Sequence, residues 1–596
     1  VIASTLLECP VCGFPIDEPV TVAGVTYCAM CAPADQPVCT VPLRPYQSEC
    51  VDGVFQEFRS GDSTLAVMPT GTGKTVVFAA AIQRALTGEL DLSRGDRVVV
   101  MAHRDELIRQ AVDKIHRFTG IDCDIEMGDY RADQCSLHQR APVVVTSVQT
   151  MSRPNRMSRF HPEDFCLLVI DEAHHATAAT YKSVIEHFRR NAHLKVLGVT
   201  ATPDRADEAA LGVVFNSVAC QYEIVQAIED GWLVPIEQQF IQVEGLDLSE
   251  LKTRGDGDFT DKQVAKILEQ EKVLHGYAWP TIEIAGDKKT LVFTASVAQA
   301  EQLSDIFNRH RSGCSDWICG DSVKCTTDKR HDVLKRFASG DIQFLVNCGI
   351  LLEGYDEPGI EIIAVARPTK SRSLYAQIIG RGTRPLPGLV DGLNDASDRR
   401  LAIAGSNKPS VLVLDFVGNS GRHKLVHTGD VLGGNYDDAV VAAATRAVQA
   451  KSSKGERADM LTELRAAEER RREELRKRAQ VTARARYQSA RIDPFAVWDV
   501  LPKREPGWHK GRGATEKQVA YLKKCGVPTD NVTFWEASQL IDQSFKRRKE
   551  GLCTFKQAKI LQKHGFPTNV GFKEASATID RIAQSHWKLY NTGGHE

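Results

Sequence analysis

The chain is 596 residues long, with 75 basic against 77 acidic side chains and 42% hydrophobic residues. At this length roughly three to five domains are expected. The composition is that of a soluble globular protein and excludes wholesale disorder. No run of about 18 apolar residues is present, which excludes a membrane-spanning helix of the usual kind. The start, VIASTLLECP, has no basic segment and too short an apolar stretch for a secretory signal. It also lacks an initiator Met, so the true N-terminus is expected to be missing or processed. The net charge of −2 conceals an asymmetry: residues 451–596 carry +12 and the first 450 carry −14. An acidic body with a basic tail implies a polyanionic partner for the tail. The 16 cysteines are too sparse for a disulfide scaffold and fit a reducing, cytoplasmic compartment.

Taken in chain order, residues 1–40 are rich in Cys and Pro. Cys9, Cys12, Cys28 and Cys31 give C-x2-C-x15-C-x2-C. Two such pairs can hold Zn²⁺ through four thiolates and stabilise a ribbon too small to have its own core. Four protein ligands leave no open position, so this zinc is expected to be structural. Redox-active cysteines are the weaker alternative, since no thioredoxin-like pattern accompanies them.

From residue 41 to about 436, short apolar runs alternate with amphipathic stretches. The runs include Arg97–Ala102, Val143–Thr146, Leu167–Ile170, Val196–Thr200, Thr290–Thr294, Phe344–Val346, Ile360–Ala366 and Val411–Asp415. Runs of this length, rich in β-branched residues and separated by helical segments, are expected to be buried strands of parallel sheets. The fold class expected is α/β, with two doubly wound domains over 41–235 and 236–436.

Between the first runs lies Met68-Pro69-Thr70-Gly71-Thr72-Gly73-Lys74-Thr75, after an apolar stretch and before the helix-like VVFAAAIQRAL. Small residues here let backbone N–H groups wrap phosphate oxygens at a helix N-terminus. Lys74 would reach the β- and γ-phosphates, and the Thr75 hydroxyl would ligate Mg²⁺. The first Gly of the general phosphate-loop pattern is Met68 in this chain. Ninety-seven residues after Lys74, an apolar run ends in Asp171-Glu172-Ala173-His174. The first carboxylate would hold Mg²⁺, and the second would polarise the water that attacks the γ-phosphate. Together the two segments imply an ATPase.

Beyond residue 417 a stretch rich in Gly, Asn and Asp marks a boundary, and 437–513 is expected to be a charged helical linker. Its residues 459–491 contain no Gly or Pro and should form a long, solvent-exposed spacer helix with i,i+4 ion pairs. The last segment, 514–596, repeats itself. Ala514–Phe545 lines up with Cys553–Gln584, and both copies read T-x-K-Q, G-[VF]-P-T and [WK]-E-A-S. Each copy is expected to be a pair of short helices broken at the Gly-x-Pro. Lys517, Lys523, Lys524 and Lys546-Arg547-Arg548-Lys549 are candidate phosphate contacts. Trp508, Trp535 and Trp587 are expected to pack rather than to stack on bases.

The ordered motifs over Leu43–Gly418 resemble those of the superfamily 2 helicases. Leu43-Arg44-Pro45-Tyr46-Gln47 is similar to that family's adenine-sensing element, in which Gln47, beside Arg44, would read the base. His103-Arg104 and Thr146-Ser147-Val148-Gln149 match segments that touch the nucleic-acid backbone. Thr200-Ala201-Thr202-Pro203, with His174, matches the elements that couple hydrolysis to strand movement. Gly354-Tyr355-Asp356 matches motif V. Gln377-Ile378-Ile379-Gly380-Arg381-Gly382-Thr383-Arg384 matches motif VI, whose arginines Arg381 and Arg384 would stabilise the γ-phosphate. The resemblance implies two RecA-like domains that open and close on ATP, together with an arginine contribution worth about 10³–10⁵ in rate.

Thr-Ala-Thr-Pro and Gln-Ile-Ile-Gly-Arg, with Val411–Asn419, resemble the branch containing XPB, UvsW, bacterial RadD and restriction-enzyme motors, which mostly act on DNA. Asn347-Cys348 stands where many relatives carry Thr. The resemblance implies a helicase or translocase on duplex, forked or single-stranded DNA in a bacterial or phage-infected cell. RNA is an alternative partner, and a protein partner could bind the zinc ribbon or the C-terminal repeats. A nucleic-acid-binding scaffold with a vestigial ATP site is the reading from another class.

Overall fold

In a computed structural model the described residues are 19–22, 25–28, 42–103, 105–132, 140–201, 211–249, 251, 261–321, 323–352, 354–419, 425–433, 436–485 and 493–587. Near the N-terminus, β1 (Pro19–Val22) and β2 (Val25–Cys28) form an antiparallel hairpin in which Pro19 pairs with Cys28 and Val22 with Val25. Cys9, Cys12 and Cys31 lie outside the described residues. Cys28 closes β2, and only its backbone is described. Among the described residues there is no group of His, Cys, Asp and Glu arranged to hold a metal. No described helix is long and apolar enough to cross a membrane.

Two seven-stranded sheets carry the rest of the α/β architecture, as expected for two RecA-like domains. The first comprises β3 (Ser63–Val67), β4 (Arg97–Ala102), β5 (Cys123–Glu126), β6 (Val143–Ser147), β7 (Phe165–Asp171), β8 (Lys195–Thr200) and β9 (Ser217–Gln221). Their order is β5-β6-β4-β7-β8-β3-β9, with parallel registers of β4 on β6 and β7, β5 on β6, and β3 on β9. β3, β4, β6 and β7 are buried along nearly their whole length. Buried parallel strands read as continuous apolar runs, which is why most of them were visible in the sequence.

The second sheet comprises β10 (Ile236–Asp247), β11 (Thr290–Thr294), β12 (Ser315–Cys319), β13 (Phe344–Cys348), β14 (Ile362–Ala366), β15 (Val411–Asn419) and β16 (Ala458–Asp459). Its order is β12-β13-β11-β14-β15-β10-β16, parallel except where β16 meets β10. Leu246, Leu274, Tyr277, Leu303, Phe307, Phe344, Leu414 and Phe416 belong to the core on one side of it.

By internal packing the chain divides into two compact units. One is built on Thr75–Asp171 and Ala178–Leu197, the other on Ser63–Lys74, Glu172–Thr177 and Gly198 onward. The phosphate loop and Glu172 therefore belong to the same unit as the second sheet.

Helices are placed by their caps. Pro45 opens α1 (Pro45–Phe58) at a position whose missing N–H costs nothing. The helix α2 (Lys74–Arg84) starts directly after Gly73. The motif VI segment forms α3 (Arg372–Gly380), capped by the Ser371 hydroxyl on the Leu374 N–H. The charged stretch forms α4 (Met460–Ala485), 26 residues long. It departs from the expected spacer: Met460, Leu461, Leu464 and Ala467 are buried, and β16 immediately before it joins the second sheet. Only one i,i+4 pair is described along it, Arg472 with Glu468 at 3.3 Å.

The C-terminal repeats are α5 (Glu516–Cys525) with α6 (Phe534–Lys549), and α7 (Phe555–Lys563) with α8 (Phe572–Gln584). Thr515 and Thr554 are equivalent N-caps, each in a capping box with Gln518 or Gln557. The Gln518 amide also donates to the Ser538 hydroxyl at 2.9 Å, as Gln557 does to Ser576 at 2.9 Å. Short bridges, Gly513 with Thr533 and Leu552 with Gly571, close each copy. The shared core includes Leu522, Leu540, Phe555, Leu561 and Ile582, but also Phe495, Val497 and Trp498 from the expected linker. Thr515→Ala and Thr554→Ala should each lower the stability of this region by about 1 kcal/mol. Amide exchange should accelerate in the helix that loses its cap; equal protection in both variants would contradict the capping roles.

Candidate active site

The site begins at the C-terminal end of β3. Gly71 and Gly73 have φ of +90° and +82°, the left-handed region that glycine enters without a steric penalty. Thr72 is fully buried, and its hydroxyl donates to the Pro69 carbonyl at 2.8 Å, which tightens the loop. The loop runs into α2 at Lys74, so Lys74 and Thr75 occupy the first turn, where backbone N–H groups have no helical partner. That geometry suits an anion at the loop and a hydroxyl beside it.

β7 ends at Asp171, and Glu172 follows with φ of +48°. A non-glycine residue in this region is uncommon and is typical of functional sites. The turn puts the Glu172 carboxylate, 7% exposed, against Lys74: Nζ donates to Oε1 at 3.1 Å. On the other side, His174 Nδ1 lies 3.4 Å from Glu172 Oε2 and 3.1 Å from the Thr200 hydroxyl. Burial alone pushes the carboxyl pKa up. The Lys74 ammonium and the His174 ring more than reverse this and hold Glu172 well below the usual carboxylate range. Glu172 is therefore an anion tied to the phosphate loop through Lys74 and, through His174, to the end of β8.

The motif VI turn follows α3. Arg381 is buried and donates to the Tyr355 carbonyl at 2.7 Å, joining motif VI to motif V. Arg384 pairs with Asp356, and Gly354 holds φ of +75° in the same loop. Arg384 also lies against the phosphate loop, since a Cβ added at Gly71 would sit 3.2 Å from Arg384 Cγ. Gly380 is as close to Thr70, where an added Cβ would meet Thr70 Cβ at 2.6 Å. Gln377 is buried within α3.

Other sequence candidates fall less simply. Gln47 is buried, and its side-chain Oε1 accepts the Arg44 backbone N–H at 3.0 Å, so it caps α1. His103 and Gln149 meet, the Gln149 amide lying 3.3 Å from His103 Nδ1. Thr146 is fully buried and donates to the Glu126 carbonyl at 2.9 Å; a side chain so placed serves the sheet and does not reach a strand of nucleic acid. Arg104 and Thr202 lie outside the described residues.

Two buried groups that the sequence reading passed over hold this machinery. Lys408 is 1% exposed, and its Nζ donates to the Pro358 carbonyl at 2.6 Å and the Arg384 carbonyl at 2.7 Å. It pins the segment after motif V to the end of motif VI. Asp415, within the apolar run of β15, accepts from the Tyr375 hydroxyl of α3 at 2.5 Å and from the Gln238 amide of β10. The signal for Asp415 was an acid interrupting an otherwise apolar strand; Lys408 gave none.

Comparison with known proteins fits this geometry. Residues 40–205 match the family described as Type III restriction enzyme, res subunit, and residues 269–385 match the helicase conserved C-terminal domain. The chain is 32% identical over 352 residues to the ATP-dependent helicase IRC3 of Saccharomyces cerevisiae, covering 57% of this chain and 49% of that one. It is 29% identical over 405 residues to the mitochondrial ATP-dependent helicase irc3 of Schizosaccharomyces pombe, covering 67% and 61%. With the DNA 3'-5' helicase XPB of Kineococcus radiotolerans the identity is 27% over 355 residues, covering 58% and 57%. A fragment of a type I restriction HsdR subunit from Vibrio vulnificus superposes with a TM-score of 0.48 at 19% identity, covering 65% of each chain. The chain spans about half to three-fifths of the length of these curated relatives.

The fold and site together define a glycine-bearing loop at a helix start beside a buried, ionised carboxylate. Over residues 40–205 and 269–385 the chain is thus similar to the superfamily 2 helicases.

Burial pushes the Lys408 ammonium down to about 7, with the field of Glu361 opposing and that of Arg384 adding. Unfolded, the same amine keeps its proton to about 10.4. Between these values the unfolded chain binds the extra proton, so this group makes stability rise with pH. The neutral amine still has two N–H groups for its two carbonyls. Urea midpoints measured from pH 7 to pH 10 should therefore move in favour of the unmodified protein relative to Lys408→Met. Parallel profiles would contradict the buried, depressed amine.

Proposed function

We propose that the protein is an ATP- and Mg²⁺-dependent DNA helicase or translocase, coupling hydrolysis to movement along DNA or to its remodelling in repair, recombination or replication. The observation that carries this reading is the Lys74–Glu172–His174–Thr200 chain of contacts, which links the phosphate loop to the end of β8. Lys74 binds the β- and γ-phosphates of ATP, and Gly71, Gly73 and Thr75 cradle them. Glu172 takes the proton of the attacking water. Arg381 and Arg384 neutralise the charge that develops on the γ-phosphoryl group.

The Thr75 hydroxyl and the Asp171 carboxylate are hard oxygen donors of the kind Mg²⁺ prefers, at the helix start and strand end where it is wanted. Mg²⁺, when bound, supplies positive charge to the phosphate oxygens. His174 and Thr200 relay the state of Glu172 to the segment after β8. Gln47 with Arg44, and Gly354 with Asp356, are assigned to the nucleotide; His103, Arg104, Gln149, Thr202 and Gln377 are assigned to coupling and nucleic-acid contact. DNA is favoured over RNA by the Thr-Ala-Thr-Pro and Gln-Ile-Ile-Gly-Arg motifs and by the DNA helicases among the relatives.

A structural zinc is proposed on Cys9, Cys12, Cys28 and Cys31. The spacing supports it, as does the hairpin between the two cysteine pairs, whose second strand ends on Cys28. Metal analysis of the unmodified protein should find about one zinc per chain, and Cys28→Ser should lose it. A metal-free protein with full stability would remove the ribbon.

Glu172→Gln should keep ATP binding while turnover falls by roughly 10²–10⁴-fold. Nucleotide binding measured by fluorescent analogue, alongside phosphate release, separates the two. Near-normal release would sink the assignment of the general base.

A further inference from the structure

The repeated polar residues of the C-terminal region are accounted for by folding: the Thr caps, the Gln bridges and the Ser acceptors recur at equivalent places in both copies. Arg547 also drops out of the basic run. It is 3% exposed and donates to the Cys553 and Thr568 carbonyls at 3.2 and 2.6 Å, stitching the first copy to the second.

What the fold leaves unexplained is one exposed face of the first copy. Tyr521 of α5 and Phe545 of α6 stack with ring centroids 5.4 Å apart and planes 23° apart, and Phe545 is 52% exposed. Helical spacing puts Lys517 and Lys524 one turn either side of Tyr521, and Arg548 and Lys549 one turn beyond Phe545. All four cations are exposed, and among the described residues none has an ion-pair or side-chain hydrogen-bond partner. Asp542, on the preceding turn of α6, lies in the field of Lys503.

The second copy shows that the fold does not require the aromatic pair or the cations of α6. Aligned on the caps and the paired serines, Tyr521 becomes Ile560, Phe545 becomes Ala583, Arg548 becomes His586 and Lys549 becomes Trp587, whereas Lys517 and Lys524 recur as Lys556 and Lys563. Stacked aromatics flanked by unpaired cations are the elements that single-stranded nucleic acid binds, through base faces and phosphates.

We propose that the Tyr521–Phe545 face is a second nucleic-acid grip, on which a base of a single strand stacks while Lys517, Lys524, Arg548 and Lys549 hold its phosphates. The assignment rests on the nucleic-acid motor reading above and names a contact outside the motor core. The test uses the full chain and fluorescence anisotropy with (dT)20, (rU)20, an abasic 20-mer and heparin, over a range of salt.

Replacing the four cations together with Gln should weaken (dT)20 binding and flatten the logarithmic salt slope by about 3, at roughly 0.7 per phosphate. Phe545→Leu should weaken (dT)20 about tenfold and leave the abasic strand unchanged, and Phe545→Trp should restore binding. Comparison of (dT)20 with (rU)20 tells whether the grip prefers DNA or RNA. Thermal melts check that each variant is folded. Unchanged affinity and slope in the folded four-Gln variant would overturn the grip. So would a loss shared equally by heparin with no effect of Phe545→Leu, which marks simple polyanion adsorption. If Phe545-dependent binding holds while ATP turnover ignores every nucleic acid, the grip stands and the motor reading falls.

Discussion

Two opposite charges removed from water must find each other, and in this protein that requirement is met at Lys74 and Glu172. The carboxylate sits almost wholly buried on a residue in the left-handed region, a conformation that costs of order 1 kcal/mol or more and persists only when its surroundings hold it. What holds it is the ammonium at 3.1 Å on one side and the His174 ring on the other. Removing the Lys74 ammonium would leave the buried carboxylate without its opposite charge, which is far more costly than never having buried the pair. The phosphate loop, Glu172 and the end of β8 are thus linked by electrostatics within one unit. A site built this way keeps its carboxylate ionised, and it makes the basicity of that carboxylate sensitive to whatever Lys74 and His174 are doing.

The motif V and VI loops follow a related logic with different groups. Arg381 reaches the Tyr355 carbonyl, and Lys408 reaches the carbonyls of Pro358 and Arg384. Behind them, Asp415 gathers the Tyr375 hydroxyl and the Gln238 amide in the middle of the second sheet. Irregular loops cannot satisfy their own backbone groups, so buried side chains do it for them. The arginines are thereby held on a rigid support rather than on a free loop, which suits the charge-stabilising role proposed for them.

Much of this was legible in the sequence, and the exceptions have physical reasons. Buried parallel strands such as β4, β6 and β7 announced themselves because both faces are apolar. β10 did not, since Ile236–Asp247 carries glutamines and glutamates; Gln238 is buried there only because Asp415, 177 residues away, accepts its amide. The phosphate loop and the Asp171-Glu172 pair were readable because their chemistry dictates local spacing. Lys408 was not, because an anchoring lysine has no local signature. Thr146 and Arg547 show the opposite error: motif resemblance for the first and a basic run for the second suggested contact with nucleic acid, and burial assigns both to the fold. The charged helix α4 was placed correctly as a helix, but its first two turns were read as exposed when four of their side chains pack into the core. The repeat in the tail was visible as sequence, whereas the face that differs between the copies emerged only once Tyr521 and Phe545 were seen to stack.

The proposed coupling rests on the link from Glu172 through His174 to Thr200, and ATP turnover in the presence of nucleic acid tests it most directly. Turnover would be measured without nucleic acid and with single-stranded, duplex and forked DNA and RNA, for the unmodified protein and for His174→Ala. Expected is strong stimulation by DNA in the unmodified protein, and in His174→Ala its loss while ATP still binds. Turnover indifferent to every nucleic acid, or full stimulation retained in His174→Ala, would contradict the coupling; stimulation by RNA alone would contradict the choice of DNA.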